Sequence, residues 1–290
     1  MSKLKLNITM SIDGFVAGPD QSPEHPLGVG GEELHDWLVP LKAFRESHGE
    51  EGGEVNASTP FAEDILGGAG ATIMGRNMFG GGPGPWDESW KGWWGDNPPF
   101  HHPVFVLTNH PREPLEMQGG TTFHFVTDGI ESALEQARAA AGEKEVSLGG
   151  GASVAQQYLA AGLLDEIVVS VVPILLGGGA RLFENVGDVK LEQVESVEAP
   201  GALLERDLEV TPLDGHGRDE RHHRSSPSLA ARTQGLSPSF PRSPKTRSPT
   251  REREGARMRQ RSGMSPERRA SVPRMSWVQC VHGSRPTNSR

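Results

Sequence analysis

The sequence predicts an α/β domain with a mostly parallel sheet, followed by a tail of different composition. Two observations support this prediction. Segments with the apolar pattern of strands alternate with segments whose apolar residues recur every three or four positions, as in helices. Several strand segments also end in glycine-containing turns directly before a helix, which is the order of β-α-β units. The ligand site of such a sheet lies in the crevice at the carboxyl ends of its strands.

The predicted elements follow one another along the first 212 residues. Strands are expected at residues 3–10, 71–74, 103–108, 121–126, 145–148, 166–173 and 202–210. Helices are expected at residues 32–46, 130–141 and 152–161, where apolar side chains repeat at helical spacing. Gly142 stands where the second of these helices should end. We interpret the glycine run at residues 177–179 as a loop between strands.

Charge and composition divide the chain into a domain, residues 1–212, and a tail, residues 213–290. The domain holds 12 Lys and Arg against 32 Asp and Glu, a net charge of −20, whereas the tail holds 17 and 6, a net charge of +11. The tail contains 16 Arg, 13 Ser and 8 Pro with little apolar periodicity, so we expect it to be disordered. Such a tail either contacts nucleic acid or is an unselected extension. We favour the extension, because aromatic residues on which bases would stack are scarce there.

Several classes of function are disfavoured for the domain. Its acidic charge repels nucleic-acid phosphates and anionic lipids. The most apolar stretch, residues 167–176, is about half as long as a membrane-spanning helix, and the start of the chain lacks the apolar block of a signal peptide. The single cysteine, Cys280, lies in the tail, and no two histidines of the domain have helical ligand spacing. We therefore expect a soluble cytoplasmic protein without a metal site.

Two glycine-containing junctions are suited to binding a nucleotide. In residues 72–77 (TIMGRN), a buried strand delivers Gly75 and then Arg76 where a helix should begin, which favours a phosphate. The alternative is a capped helix with a surface arginine. In residues 148–153 (LGGGAS), three glycines between strand and helix let main chain lie against a ring or a pyrophosphate. The alternative is a tight connection, and the Gly-x-Gly-x-x-Gly fingerprint is absent.

Together these segments resemble the dihydrofolate reductase family. Residues 74–76 (MGR) look like its Ile-Met-Gly-Arg motif, and residues 148–151 look like its second glycine motif. Residues 11–17 (SIDGFVA), 161–166 (AGLLDE) and 173–179 (PILLGGG) are more similar to the RibD-type reductase domain of the riboflavin-biosynthesis deaminase–reductase. The motifs keep the family's order over roughly residues 3–210. The resemblance implies a dihydrofolate reductase-like three-layer fold around a central, mostly parallel mixed sheet, with NADPH as cofactor.

The resemblance also implies which residues bind NADPH. Ala17 would lie beside the nicotinamide, and Arg76 would bind the 2′-phosphate. Thr108 and Asn109 would flank the adenosine ribose and its phosphate. The full set of cofactor-binding residues, in chain order, is Ala17, Gly75, Arg76, Asn77, Thr108, Asn109, Gly149, Gly150, Gly151, Ala152 and Ser153.

The substrate end departs from the relatives. Riboflavin-pathway reductases tend to carry a glutamate where this chain has Gly149, and dihydrofolate reductases carry an acidic residue on the first helix that protonates the pterin. The candidate acid here is Asp36, and its alternative role is a solvated helix face. Asp13 and Trp37 are candidates for binding the substrate. We expect reduction of a small heterocycle, first a pyrimidine of the 5-amino-6-(5-phosphoribosylamino)uracil type and second a pterin. A non-catalytic nucleotide-binding protein is the alternative.

One loop is unusually rich in tryptophan. Residues 86–95 (WDESWKGWWG) hold four of the six tryptophans. These rings either stack on a planar heterocycle and exclude water from a cleft, or are buried in a contact between two copies of the chain. The sequence is compatible with both interpretations, and we expect a homodimer.

Overall fold

The computed structural model describes residues 2–22 and 24–212. The expected disordered tail, residues 213–290, lies outside the described residues. Within them, no helix has both the length and the apolar character needed to cross a membrane.

A sheet of nine strands forms the centre of the described part, and two further strands form a small second sheet. The strands are, in chain order, β1 (Leu4–Ser11), β2 (Phe15–Ala17), β3 (Ala71–Gly75), β4 (Pro103–Leu107), β5 (Leu115–Glu116), β6 (Thr122–Val126), β7 (Val146–Gly150), β8 (Glu166–Val172), β9 (Ala180–Arg181), β10 (Val189–Ala199) and β11 (Ala202–Pro212). The order across the large sheet is β10-β11-β8-β1-β7-β3-β4-β6-β5. From β8 to β6 all neighbours are parallel, whereas β10, β11 and β5 pair antiparallel. The predicted mostly parallel mixed sheet is confirmed.

Helices cover both faces of this sheet. They are α1 (Lys42–Ser47), α2 (Thr59–Leu66), α3 (Arg76–Phe79), α4 (Ile130–Ala141) and α5 (Ala152–Ala160), with short 3-10 helices at Gly31–His35 and Gln118–Gly120. On one face, α4 and α5 pack on a core that contains the fully buried Leu6, Ile73 and Leu148. On the other face lie two separate apolar clusters, one around Trp37 and one around Phe79. The fold therefore has three layers, as the resemblance implies.

The first strand shows how the sequence divides the two faces. Leu4 and Leu6 are fully buried in the core beneath α4 and α5. Lys5 and Asn7, which alternate with them, point to the opposite face and border a cleft there. The polar residues Lys5, Asn7 and Thr9 of β1 thus border the cleft on the face opposite the core beneath α4 and α5.

The predicted strands and the two later helices are confirmed to within about two residues at each end, and Gly142 ends α4 with φ 63°. The predicted helix at residues 32–46 is wrong. The chain forms the 3-10 helix Gly31–His35, turns at Pro40 and becomes α-helical only at Lys42. Pro40 has no N–H for a helical hydrogen bond and disfavours helical conformation at the residue before it. The spaced apolar residues still pack into one cluster, so their spacing indicated burial without a continuous helix.

Candidate functional site

A cleft of about 1260 Å³ lies at the carboxyl ends of β3, β4 and β7 and extends over the polar face of β1. All eleven residues expected to bind the cofactor border this one cleft. They come from segments more than 130 residues apart, and the parallel strands bring them together because their ends meet at one edge. Their role toward a cofactor stays a prediction.

The junction between β3 and α3 is shaped by Gly75. A Cβ on this residue would lie 2.7 Å from the Cγ2 of Val154, so only glycine lets β3 end this close to α5. The helix α3 that follows has only four residues, so its dipole is small. Attraction of a phosphate at this junction therefore depends mainly on the side chain of Arg76.

The guanidinium of Arg76 is held in a fixed orientation beside the cleft. Its Nε donates to the carbonyl oxygen of Gly82 at 3.0 Å, and its Nη1 lies 3.4 Å from the Oγ1 of Thr108. Its Nη2 is buried and has no hydrogen-bond partner among the described residues. Burial lowers the pKa of Arg76, and repulsion by Arg112 lowers it further. An anion in the cleft would supply both the missing acceptor and the missing negative charge.

The glycine turn after β7 forms an open backbone wall of the cleft. Gly150 has φ +108°, a conformation that favours glycine over other residues. An added Cβ at Gly150 or Gly151 would meet nothing within 4 Å, so both positions face open space. The helix α5 then begins at Ala152. Its N-cap residue, Gly151, has no side chain to accept a hydrogen bond from the first N–H groups of the helix. This arrangement leaves room for a phosphate against main chain at a helix N-terminus.

Asp13 is not among the residues that border the cleft, and its role in binding the substrate stays a prediction. Its carboxylate accepts a hydrogen bond from the Ser11 hydroxyl at 2.6 Å and from the backbone N–H groups of Leu176 and Gly177 at 3.2 and 2.8 Å. These hydrogen bonds, that of Ser11 first, lower the pKa of Asp13. Asp13 thus joins the β1–β2 turn to the loop at residues 173–179, which lies between β8 and β9 as expected.

Asp36 is also placed differently from the expectation. It is exposed at the end of the 3-10 helix and does not border the cleft, whereas the preceding residue, His35, does. Burial lowers the pKa of His35 to about 4, so its imidazole is neutral near pH 7. The sequence contained His35 beside Asp36, but the expectation of a regular helix gave no reason to choose it.

Trp37 is buried and does not border the cleft. Its Nε1 donates to the Oγ1 of Thr9 at 3.1 Å, and its ring packs in the cluster with Leu34 and Phe44. The residues that do border the cleft at this end include Asn7 and Thr9 of β1, neither of which the sequence singled out. The Oδ1 of Asn7 is buried without a hydrogen-bond partner in the described part of the chain.

The tryptophan-rich loop packs within its own chain. Trp93 and Trp94 border the cleft, and Trp94 is nearly fully buried against Phe123. Trp86 and Trp90 belong to the same apolar cluster on the sheet face. Of the four indoles, those of Trp93 and Trp94 thus border the cleft, and all four pack in one cluster within the chain.

The family model of the RibD C-terminal domain matches residues 2–203. No curated protein matches the chain. Residues 2–22 and 24–212 contain no group of three His, Cys, Asp or Glu side chains that could hold a metal ion.

Solved structures with similar folds each align with 72% of this chain. One is a protein from Shewanella sp. PV-4 named for riboflavin biosynthesis, with 21% identity, 99% of its length covered and a TM-score of 0.46. Another is dihydrofolate reductase from Enterococcus faecalis in complex with NADP(H), with 15% identity, 94% covered and a TM-score of 0.37. A third is the deaminase/5-amino-6-(5-phosphoribosylamino)uracil reductase of Thermotoga maritima, with 11% identity, 56% covered and a TM-score of 0.43.

Proposed function

The chain belongs to the RibD C-terminal domain family, and from this premise we propose that it is an NADPH-dependent reductase of a small heterocyclic substrate. The observation that supports this most is the single cleft bordered by all eleven residues expected to bind the cofactor. The proposed substrate is a pyrimidine of the 5-amino-6-(5-phosphoribosylamino)uracil type, with a pterin as second choice. A homodimer and a cytoplasmic location stay predictions.

The residues of the cleft fit NADPH in two respects. Gly150 and Gly151 face open space, so a pyrophosphate can approach their backbone. Arg76 has a buried guanidinium nitrogen without a partner among the described residues, which suits the 2′-phosphate. NADPH, when bound, supplies the hydride. The task of the protein is to hold that donor and the acceptor ring in register and to exclude water.

We assign binding of the substrate to His35 and Asn7, in place of Asp13 and Trp37. The cleft floor beside them carries the polar side chains of Thr9, Thr72 and Ser147, which suits a heterocycle with several ring N–H and C=O groups. The buried Oδ1 of Asn7 would accept a hydrogen bond from a ring N–H. Neutral His35 would orient the ring by a hydrogen bond and would not carry a charge at neutral pH.

A non-catalytic nucleotide-binding protein is the second candidate. It is favoured by the exposure of Asp36, because the acid expected to protonate the substrate lies away from the cleft. Another carboxylate on the cleft border, that of Asp64, is paired with Lys5 at 2.8 Å.

The test is steady-state oxidation of NADPH by the full chain, with an aminouracil ribose phosphate and dihydrofolate as acceptors. We expect oxidation with an aminouracil. NADPH binding in calorimetry without oxidation of any acceptor would favour the non-catalytic protein. Absence of NADPH binding would overturn the proposal as a whole.

A further inference from the structure

Two arginines from different loops share one indole ring beside the cleft. The Cζ of Arg76 lies 3.5 Å from the ring centroid of Trp86, and the Cζ of Arg112 lies 5.3 Å from the same ring. Arg76 borders the cleft, whereas neither Trp86 nor Arg112 does. Of these three residues, Arg76 can therefore touch a ligand in the cleft. Trp86 and Arg112 can affect that ligand only through Arg76.

Trp86 is a rigid support for the guanidinium of Arg76. Its Nε1 donates to the carbonyl oxygen of His110 at 2.8 Å. Its ring packs edge-on against Phe79 and Phe125, with centroids 5.7 and 4.9 Å away. Because the guanidinium is planar, stacking at 3.5 Å restricts its rotation and holds its nitrogens toward the cleft end of β3.

Arg112 fixes this support from the other loop. Its side chain is only 4% exposed, and its Nη2 donates to the carbonyl oxygen of Glu88 at 3.0 Å, two residues beyond Trp86. Its Nε lies 3.4 Å from the Glu88 carboxylate, and its guanidinium lies over the ring of Phe125 at 5.2 Å. The guanidinium of Arg112 thus contacts a carbonyl, a carboxylate and two rings. It joins the tryptophan-rich loop to the loop after β4.

The arrangement leaves positive charge and hydrogen-bonding capacity unused. Arg76 and Arg112 each bury one guanidinium nitrogen that has no partner in the part of the chain that the structure describes. Burying such donors costs free energy unless an acceptor is supplied. Repulsion between the two cations adds to this cost, and a dianion beside Arg76 would relieve that repulsion.

We propose that Arg112 is a positioning residue for cofactor selectivity, which holds Trp86 against Arg76 so that the guanidinium meets the 2′-phosphate of NADPH in a single orientation. The proposal rests on the proposed function, since it requires NADPH in the cleft. It goes further, because it makes the preference for the phosphorylated cofactor depend on a residue outside the cleft.

The test compares the Kd values of NADPH and NADH, measured by calorimetry, for the full chain and its variants. R112Q and R112K should each lower the ratio of the two affinities by about tenfold and change NADH affinity less than about twofold. Lysine is expected to fail because it lacks the planar fork. W86F, which removes the Nε1 donor and one ring of the stack, should lower the ratio in the same direction. It also carries the test if the Arg112 variants do not fold.

The control is W90F, in the same loop. Trp90 contacts Trp93 and donates to the Phe79 carbonyl, but it neither borders the cleft nor stacks on an arginine. W90F should leave the ratio unchanged. Equal loss of NADPH and NADH affinity in R112Q, or a wild-type ratio in R112K, would overturn the positioning role. R76A distinguishes the positioning role of Arg112 from the 2′-phosphate role of Arg76. A wild-type ratio of affinities in R76A would overturn the 2′-phosphate role itself.

Discussion

Gly75 and Val154 join the two glycine-containing junctions into one unit. Gly75 ends β3 in the first junction, and Val154 lies in the first turn of α5 after the second. A Cβ on Gly75 would lie only 2.7 Å from the Cγ2 of Val154. The close approach of β3 to α5 therefore depends on the missing side chain of Gly75, while the pairing of Met74 with Gly150 fixes the register of the two junctions.

This contact predicts the effect of Gly75→Ala. The added methyl group must displace Val154, so the free energy of unfolding should fall by roughly 1–3 kcal/mol, as for overpacking in a core. Val154→Ala in the same chain should restore part of that loss, because it removes the methyl group that is struck. Urea unfolding of the two single variants and the double variant measures the coupling. Additive losses would mean that the contact is not the cause.

The open turn at Gly150 predicts a change in both stability and binding. Gly150→Val places a β-branched residue at φ +108°, which should cost on the order of 1–3 kcal/mol of unfolding free energy. The side chain would also fill the space in front of the backbone, so the loss of NADPH binding free energy should exceed the loss of unfolding free energy. Thermal melts with and without saturating NADPH separate the two effects.

Gly142→Val is the matched control for that experiment. Gly142 also has a positive φ, 63°, and open space around an added Cβ, but it does not itself border the cleft. It should lower the melting temperature and keep the thermal shift caused by NADPH. If Gly150→Val also keeps a wild-type shift, the glycine turn does not hold the cofactor.

Arg76→Ala should remove the preference for NADPH over NADH. A charge-assisted contact with the 2′-phosphate contributes roughly 1.5–3 kcal/mol to binding, and NADH affinity should be nearly unchanged. Arg45→Ala is the control, because Arg45 pairs with Glu50 on the surface. Calorimetric titration of both cofactors gives the result. Equal weakening of the two would show that Arg76 only maintains the structure.

The lowered pKa of His35 predicts how stability depends on pH. Burial moves the pKa of His35 from its ordinary 6.5 to about 4, so between these values the unfolded chain binds a proton that the folded chain does not. The contribution of His35 to stability should therefore be fully present above about pH 6.5 and should decrease as pH falls toward 4, by up to roughly 3 kcal/mol.

His35→Asn should make this decrease shallower. Urea unfolding at about pH 7 and about pH 5, for wild type and variant, measures the difference between the two slopes. His25→Asn, at an exposed histidine, is the control and should leave the wild-type slope unchanged. A wild-type slope in the His35 variant would contradict the burial of a neutral imidazole.

Much of the fold and of the cofactor end of the cleft could be predicted because the signals are local. Apolar periodicity located the central strands, α4 and α5 to within about two residues. Glycine marked the positions of positive φ, such as Gly142 and Gly150, since that conformation is sterically unfavourable for other residues. The strand β10 escaped prediction because both its faces are largely exposed, so it lacks the apolar alternation of a half-buried strand.

The substrate end was decided by tertiary structure. Which residue of His35, Asp36 and Trp37 borders the cleft depends on the direction in which a 3-10 turn leads the chain onto the sheet, and Pro40 limits that turn. The same holds for Arg76, Trp86 and Arg112, whose stacking requires two separate loops to meet on one sheet face. Sequence patterns report what each segment buries, whereas the contacts between segments distant in sequence form only when packing brings their loops together.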